Sequence, residues 1–208
     1  MSLPFARPSK IVCVGRNYAD HAKELGNAVP AEPLIFLKPP SSLIAGGQPI
    51  VLHPMTQQVE YEGEIGLIVG RVLTNASEQE ARAAVSAIVA VNDVTARDLQ
   101  RSDSQWTRAK GFDTFCPVGQ PHEPPADLGA LSVVTRVNGK ERQRAPATDM
   151  IFTIPVVLAY ISRVMTLEPG DLVITGTPAG VGTLAPGDEV EVEIPGFSSV
   201  RNPVRMPI

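Results

Sequence analysis

Residues 59–70 read VEYEGEIGLIVG, three alternating glutamates running straight into an apolar stretch. Side chains alternate across a strand, so Glu60, Glu62 and Glu64 share one face ahead of Ile65, Leu67, Ile68 and Val69, which read as a buried strand. Like charges held that close repel, and burying them unpaired is costly. A hard divalent cation (Mg²⁺, Mn²⁺ or Ca²⁺) would remove both costs, because oxygen ligands are what it prefers. A solvent-facing strand edge decorated with glutamates explains the same pattern equally well.

Working outward, Lys10 to Val14 reads as a short buried strand stopped by Gly15. Asn17 as N-cap with Asp20 three residues on, and Gly26 as a stop, bracket a helix over Tyr18 to Leu25. Downstream, Ser77 and Glu80 form a capping box, followed by Ala81, Ala84, Val85, Ile88 and Val89 at helical spacing, with Ile88 to Val91 passing into a strand edge at Asn92-Asp93. A strand over Leu131 to Val137, the turn Asn138-Gly139 and a second strand make a hairpin. Pro155 suits the first turn of a helix carrying Val157, Leu158, Ile161 and Val164. The turns EPGD (168–171) and APGD (185–188) each feed another apolar or alternating run. Many short strands and few helices predict an antiparallel or mixed β architecture.

The composition narrows the partners. With 208 residues, 43% hydrophobic and a net charge of −4, the chain suits one globular domain without a basic surface for nucleic acid. No apolar stretch approaches the roughly 20 residues of a membrane span, and residues 1–10 lack the apolar core of a secretory signal, so a cytoplasmic location is expected. Cys13 and Cys116 have no Cys or His nearby at metal spacing and read as core thiols. Three histidines do not make a His-rich zinc site, which leaves oxygen-ligand chemistry.

Several residues could carry that chemistry. His21 and Glu24 lie three apart on one helix face, where a carboxylate can orient an imidazole for taking a proton. Alone, this spacing is more often a solvated face with an incidental ion pair. Asp93 sits where a strand end meets a loop, the place of a ligand or of an ordinary Asn-Asp turn. Lys110 could meet an anionic substrate or a developing enolate, although most lysines are only solvated surface. The glycine-rich loop Gly176 to Gly182 could hold a carboxylate through backbone N–H groups and the Thr177 hydroxyl, or be a tight structural turn. It lacks the lysine and spacing of a phosphate-binding P-loop.

Taken together and in this order, GRNYADHAKE, FLKP, YEGEIGLIVG, NDVTARDLQ, KGFDTFCPVG and ITGTPAGVG resemble the fumarylacetoacetate hydrolase superfamily, nearest its short-chain acylpyruvate hydrolase and oxaloacetate decarboxylase branch. The resemblance runs from Lys10 to the C-terminus. It leaves residues 1–9 as an N-terminal extension and 10–208 as one catalytic domain. It implies a mixed β-roll with few helices, a homodimer, and Mg²⁺ or Mn²⁺ held by Glu62, Glu64 and Asp93, with Glu60 outside the ligand set. It further implies a catalytic dyad of His21 and Glu24 on a segment that can order over substrate. Lys110 falls on the family's motif lysine and Thr177 on its substrate-carboxylate threonine. Arg16, Arg97 and Gln100 are implied as lesser contacts, and Lys38 is a further candidate.

The activity so implied is metal-dependent hydrolysis of a carbon–carbon bond in a 2,4-dioxo acid, with oxaloacetate decarboxylation as a companion. Isomerase or decarboxylase action on a 2-hydroxydienoate is the related alternative. A non-catalytic Ca²⁺-binding protein is the alternative of another class, and it would need none of His21, Glu24 or Lys110.

Overall fold

Two buried faces explain why the run after Glu64 shows no polar alternation. In the computed structural model, which describes residues 2–207 apart from Leu25 and Asn27, the strand Gly63–Val69 lies inside a seven-stranded sheet. Its neighbours are Leu172–Ile174 and Val85–Asn92, both antiparallel to it. Ile65, Leu67 and Val69 point to one side, where they meet Val133, Val192, Ile194 and Val200 of a five-stranded sheet. Ile68 points to the other, packing with Ile11, Cys13, Val89 and Val91, and with Leu3 and Phe5 from the N-terminal segment. A sheet covered on both faces selects apolar residues at every position.

The sheets curl together into a roll. The pairing is mixed: Ile11–Gly15 runs parallel to Leu172–Ile174, and Leu43–Ala45 parallel to Cys116–Val118. A three-stranded sheet (Gly182–Thr183, Val59–Tyr61, Thr95–Ala96) stands beside the large one. The opening stretch therefore crosses between sheets at Glu62 rather than forming one continuous strand. Gly63 makes that crossing possible, because a Cβ there would lie 1.9 Å from Thr135 Oγ1 of the five-stranded sheet.

Among the described residues five α-helices decorate the roll: α1 (Ala19–Glu24), α2 (Glu78–Ala83), α3 (Arg97–Ser102), α4 (Thr107–Gly111) and α5 (Ile154–Val164). The expected last residue of α1, Leu25, lies outside the described residues. Asn17 does not serve α1 as a cap in the expected way. Its amide donates to the Thr175 and Phe152 carbonyls and accepts the Phe152 N–H, which bolts the turn after the first strand to the glycine-rich loop and to α5. The capping box of Ser77 and Glu80 is present, yet α2 ends at Ala83 and the strand Val85–Asn92 begins at once. The helical spacing of Val85, Ile88 and Val89 was thus coincidental, because a strand buried on both faces leaves no period to read. Pro155 does sit in the first turn of α5, whose Val157, Leu158 and Ile161 are buried while Val164 is exposed. The two PGD turns are the same device twice: Asp171 accepts the Glu168 N–H and Asp188 the Ala185 N–H.

Candidate active site

The crossing at Glu62 delivers acidic side chains to a cavity of about 410 Å³ at the junction of the sheets. Glu62, Glu64 and Asp93 each place a carboxylate oxygen within 4.8 Å of the others, and all three are buried. Asp93 arrives from the end of the strand Val85–Asn92, and its N–H donates to the Glu62 carbonyl at 2.8 Å. The solvent-facing reading of the glutamates is therefore excluded: Glu60, Glu62 and Glu64 are 6%, 4% and 2% exposed.

Buried cations answer most of this charge. Lys110 on α4 donates to Glu62 at 2.8 Å and to Asp93 at 2.6 Å, and Lys38 donates to the other oxygen of Asp93 at 2.7 Å. Arg97 on α3 grips Glu60 and Glu62 together and also donates to Gln100. Burial would push the Glu62 carboxyl up, but Lys110, Arg97 and His21 hold it well below the usual carboxylate range. Glu64 is different. It accepts the Gly176 N–H, yet no side-chain cation reaches it among the described residues. Burial, and then the neighbouring Asp93 and Glu62 charges, push its pKa well above the ordinary value. Three cations (Lys38, Arg97, Lys110) against four carboxylates leave a deficit centred on Glu64, where the three oxygens converge. An oxygen-only donor set short of positive charge fits a hard divalent cation.

The remaining expected residues reach the same cavity. His21 is buried, with Nδ1 3.1 Å from Glu24 Oε2, and the Glu24 carboxylate accepts the Gly180 N–H at 3.1 Å. This contact ties α1 to the glycine-rich loop. Arg16, Gln100 and Thr177 line the cavity as well. Lys38 and Glu60 stand behind its wall, acting on Asp93 and Arg97. The Thr177 hydroxyl is already committed: it donates to the Gly63 carbonyl at 2.9 Å and accepts from Gln143 Nε2 at 2.8 Å. A hydroxyl has one proton, so in this arrangement it has none left for a substrate carboxylate.

Sequence reasoning passed over Gln143, which also accepts the Gly63 N–H and donates to the Pro178 carbonyl, joining the hairpin to the loop. It passed over Phe36 and Trp106 too. These form an aromatic wall with ring centres 5.2 Å apart, edge to face. Trp106 was visible as the sole tryptophan, but nothing in its neighbours marked it as part of a cavity. Cys13 and Cys116 are core thiols, as read; burial raises both, Cys116 to about 12, so neither is a nucleophile.

Fold and cavity together define a rolled, mostly-β protein whose buried carboxylates suit a divalent cation. Residues 10–205 match the family described as fumarylacetoacetate (FAA) hydrolase C-terminal, and the chain belongs to that family. It is 41% identical over 203 residues to the mitochondrial oxaloacetate tautomerase FAHD1 of Pongo abelii, covering 95% of this chain and 92% of that one. Among solved structures it is similar to the 2-hydroxyhepta-2,4-diene-1,7-dioate isomerase of Mycobacterium marinum, at 43% identity and a TM-score of 0.88 over 96% of this chain and 75% of that one. It is also similar to the 5-carboxymethyl-2-hydroxymuconate delta-isomerase of Mycobacterium smegmatis, at 40% identity and a TM-score of 0.89 over 97% and 80%. No helix among the described residues is long and apolar enough to cross a membrane.

Proposed function

We propose that this chain is a divalent-metal-dependent enzyme of small 2-oxo acids that hydrolyses a carbon–carbon bond in a 2,4-dioxo acid, with Glu62, Glu64 and Asp93 holding Mg²⁺ or Mn²⁺. The observation that carries this reading is the convergence of the acidic group and the His21–Glu24 pair on one cavity. A structural Ca²⁺ site would need only the first of these. When bound, the ion would act as a Lewis acid toward the carboxylate and 2-oxo oxygens of the substrate.

The protein's own groups do the remainder. His21, oriented by Glu24, takes a proton from water, and the hydroxide adds to the 4-carbonyl carbon. The bond between C3 and C4 then breaks with its electron pair passing to C3, releasing a carboxylic acid and the enolate of pyruvate. His21 returns the proton to C3. Lys110, fixed between Glu62 and Asp93, keeps the site from accumulating negative charge as the enolate forms. Oxaloacetate would lose CO₂ through the same electron sink.

A second reading is favoured by the names of the relatives, an oxaloacetate tautomerase and two isomerases. Here His21 moves a proton between carbon and oxygen of the substrate without bond cleavage. Incubation with Mg²⁺ and acetylpyruvate, oxaloacetate or a hydroxydienedioate, followed by NMR, separates the readings. Acetate plus pyruvate marks hydrolysis, CO₂ plus pyruvate marks decarboxylation, and an accelerated keto–enol or double-bond shift marks proton transfer. No change with any of the three overturns the proposal. A cytoplasmic homodimer completes it, supported by exposed Leu34 and Leu37 on the edge strand Leu34–Lys38.

A further inference from the structure

We infer that Glu60, which neither lines the cavity nor joins the three converging oxygens, supplies the negative charge by which Glu62, Glu64 and Asp93 attract a cation. This rests on the reading of those three residues as a metal site and adds a residue that acts on it through Arg97. Glu60 is a buried carboxylate with no part in the chemistry proposed above, and such a group is costly to keep.

Strand pairing brings Glu60 to Arg97. Val59–Tyr61 runs antiparallel to Thr95–Ala96, with Glu60 opposite Thr95, and α3 begins at once with Arg97, whose N–H donates to the Gln58 carbonyl at 2.7 Å. Glu60 Oε2 accepts from Arg97 Nε at 2.7 Å, and its Oε1 accepts from Gln58 Nε2 at 2.6 Å. The same guanidinium donates through its other two nitrogens to Gln100 and to Glu62 Oε1. Glu62 Oε2 accepts from Lys110. Each oxygen of Glu62 thus faces a cation, and the pull of both leaves it little charge to offer a metal ion.

Glu60 changes that balance. Without it, Lys38, Arg97 and Lys110 would match Glu62, Glu64 and Asp93 charge for charge, and an arriving cation would meet a neutral cluster. With it, the Arg97 charge is shared between two carboxylates, and the cluster carries one net negative charge. All of these side chains are buried, where salt screens little. The alternative is a purely structural Glu60 that only holds Arg97 in place.

Two substitutions separate charge from shape. Glu60→Gln loses the charge and keeps the shape: its amide oxygen still accepts from Arg97, and the amide of Gln58 can turn over to take its N–H₂. Glu60→Asp keeps the charge and is one methylene too short for the same bonds. Mn²⁺ would be titrated calorimetrically into the chelator-treated full chain, with melting in chelator confirming that each variant folds. The expected Kd rises about 10- to 100-fold in Glu60→Gln and stays within about threefold of the wild type in Glu60→Asp. Glu60→Gln/Arg97→Met removes one charge of each sign. It should bring the Kd back toward the wild-type value, and it decides the matter if Glu60→Gln alone does not fold. Wild-type affinity in Glu60→Gln, a loss in Glu60→Asp as large as in Glu60→Gln, or a double variant with Kd more than about tenfold above the wild type would overturn the inference. A wild type that binds no Mn²⁺ would overturn the metal site itself, and the inference with it.

Discussion

Glu24 stands with one carboxylate oxygen 3.1 Å from His21 Nδ1 while accepting the Gly180 N–H at 3.1 Å, so a single side chain both orients the imidazole and docks α1 onto the glycine-rich loop. These two duties can be separated. In Glu24→Gln the amide oxygen still accepts from Gly180, but the amide N–H₂ donates to Nδ1 and places the imidazole proton on the other nitrogen, which removes the base. The expected outcome is a fall in kcat of about 10²–10⁴-fold with KM near the wild-type value. Steady-state kinetics that show full turnover would remove His21 and Glu24 from the chemistry.

Lys110→Met takes away the cation shared by Glu62 and Asp93. Two buried carboxylates are left facing each other, so the metal-free protein should lose about 3–5 kcal/mol of stability. Saturating Mg²⁺ should then raise the melting temperature more in the variant than in the wild type. Equal metal-induced shifts would show that Lys110 does not share the carboxylates with a cation.

Glu64→Gln should behave in the opposite way. Burial and the Asp93 and Glu62 charges disfavour its ionised form more than Lys110 favours it, and among the described residues no lysine or arginine forms an ion pair with it. Replacing it with a neutral isostere that keeps an acceptor for Gly176 should leave the metal-free protein as stable or more so, by up to about 1 kcal/mol. The metal-induced stabilisation should vanish at the same time. A large loss of stability in chelator would contradict the charge deficit assigned to Glu64.

Much of this site could be read from the chain, and the reasons some of it could not are local. The glutamate alternation and the His21–Glu24 pair were visible at spacings of two and three residues, but their proposed roles, and the place of Asp93 beside the glutamates, came from the family resemblance and not from spacing. The Asp171 and Asp188 turns were legible because PGD repeats. What the chain hid was pairing at long range. The parallel contact of Ile11–Gly15 with Leu172–Ile174 spans most of the sequence, and Gln143 reaches Thr177 from a hairpin that carries no site motif. The strand Val85–Asn92 was mistaken in part for helix because both its faces are buried. Asn17 looked like a helix cap and proved to be a bolt between three elements, since an amide side chain suits both tasks.

Asp171 supplies a pH-dependent test far from the cavity. Burial would raise its pKa, but Lys10, the Ser9 hydroxyl and the Glu168 and Lys10 N–H groups hold it below the ordinary value. A carboxyl lowered on folding stabilises above its unfolded pKa of about 3.9 and loses that contribution as pH falls through the lowered value. Asp171→Asn should therefore cost about 1–3 kcal/mol at pH 7, with the gap between variant and wild type narrowing below about pH 4. Denaturant melts showing a gap that does not change with pH would contradict the assignment.

The account turns on one ion shared by Glu62, Glu64 and Asp93. Calorimetric titration of Mn²⁺ into the chelator-treated protein tests this most directly, with wild type, Glu64→Gln and Asp93→Asn compared side by side. One Mn²⁺ per chain in the wild type and none in either variant is the predicted result. A wild type that binds no ion, or variants that bind as the wild type does, would contradict it.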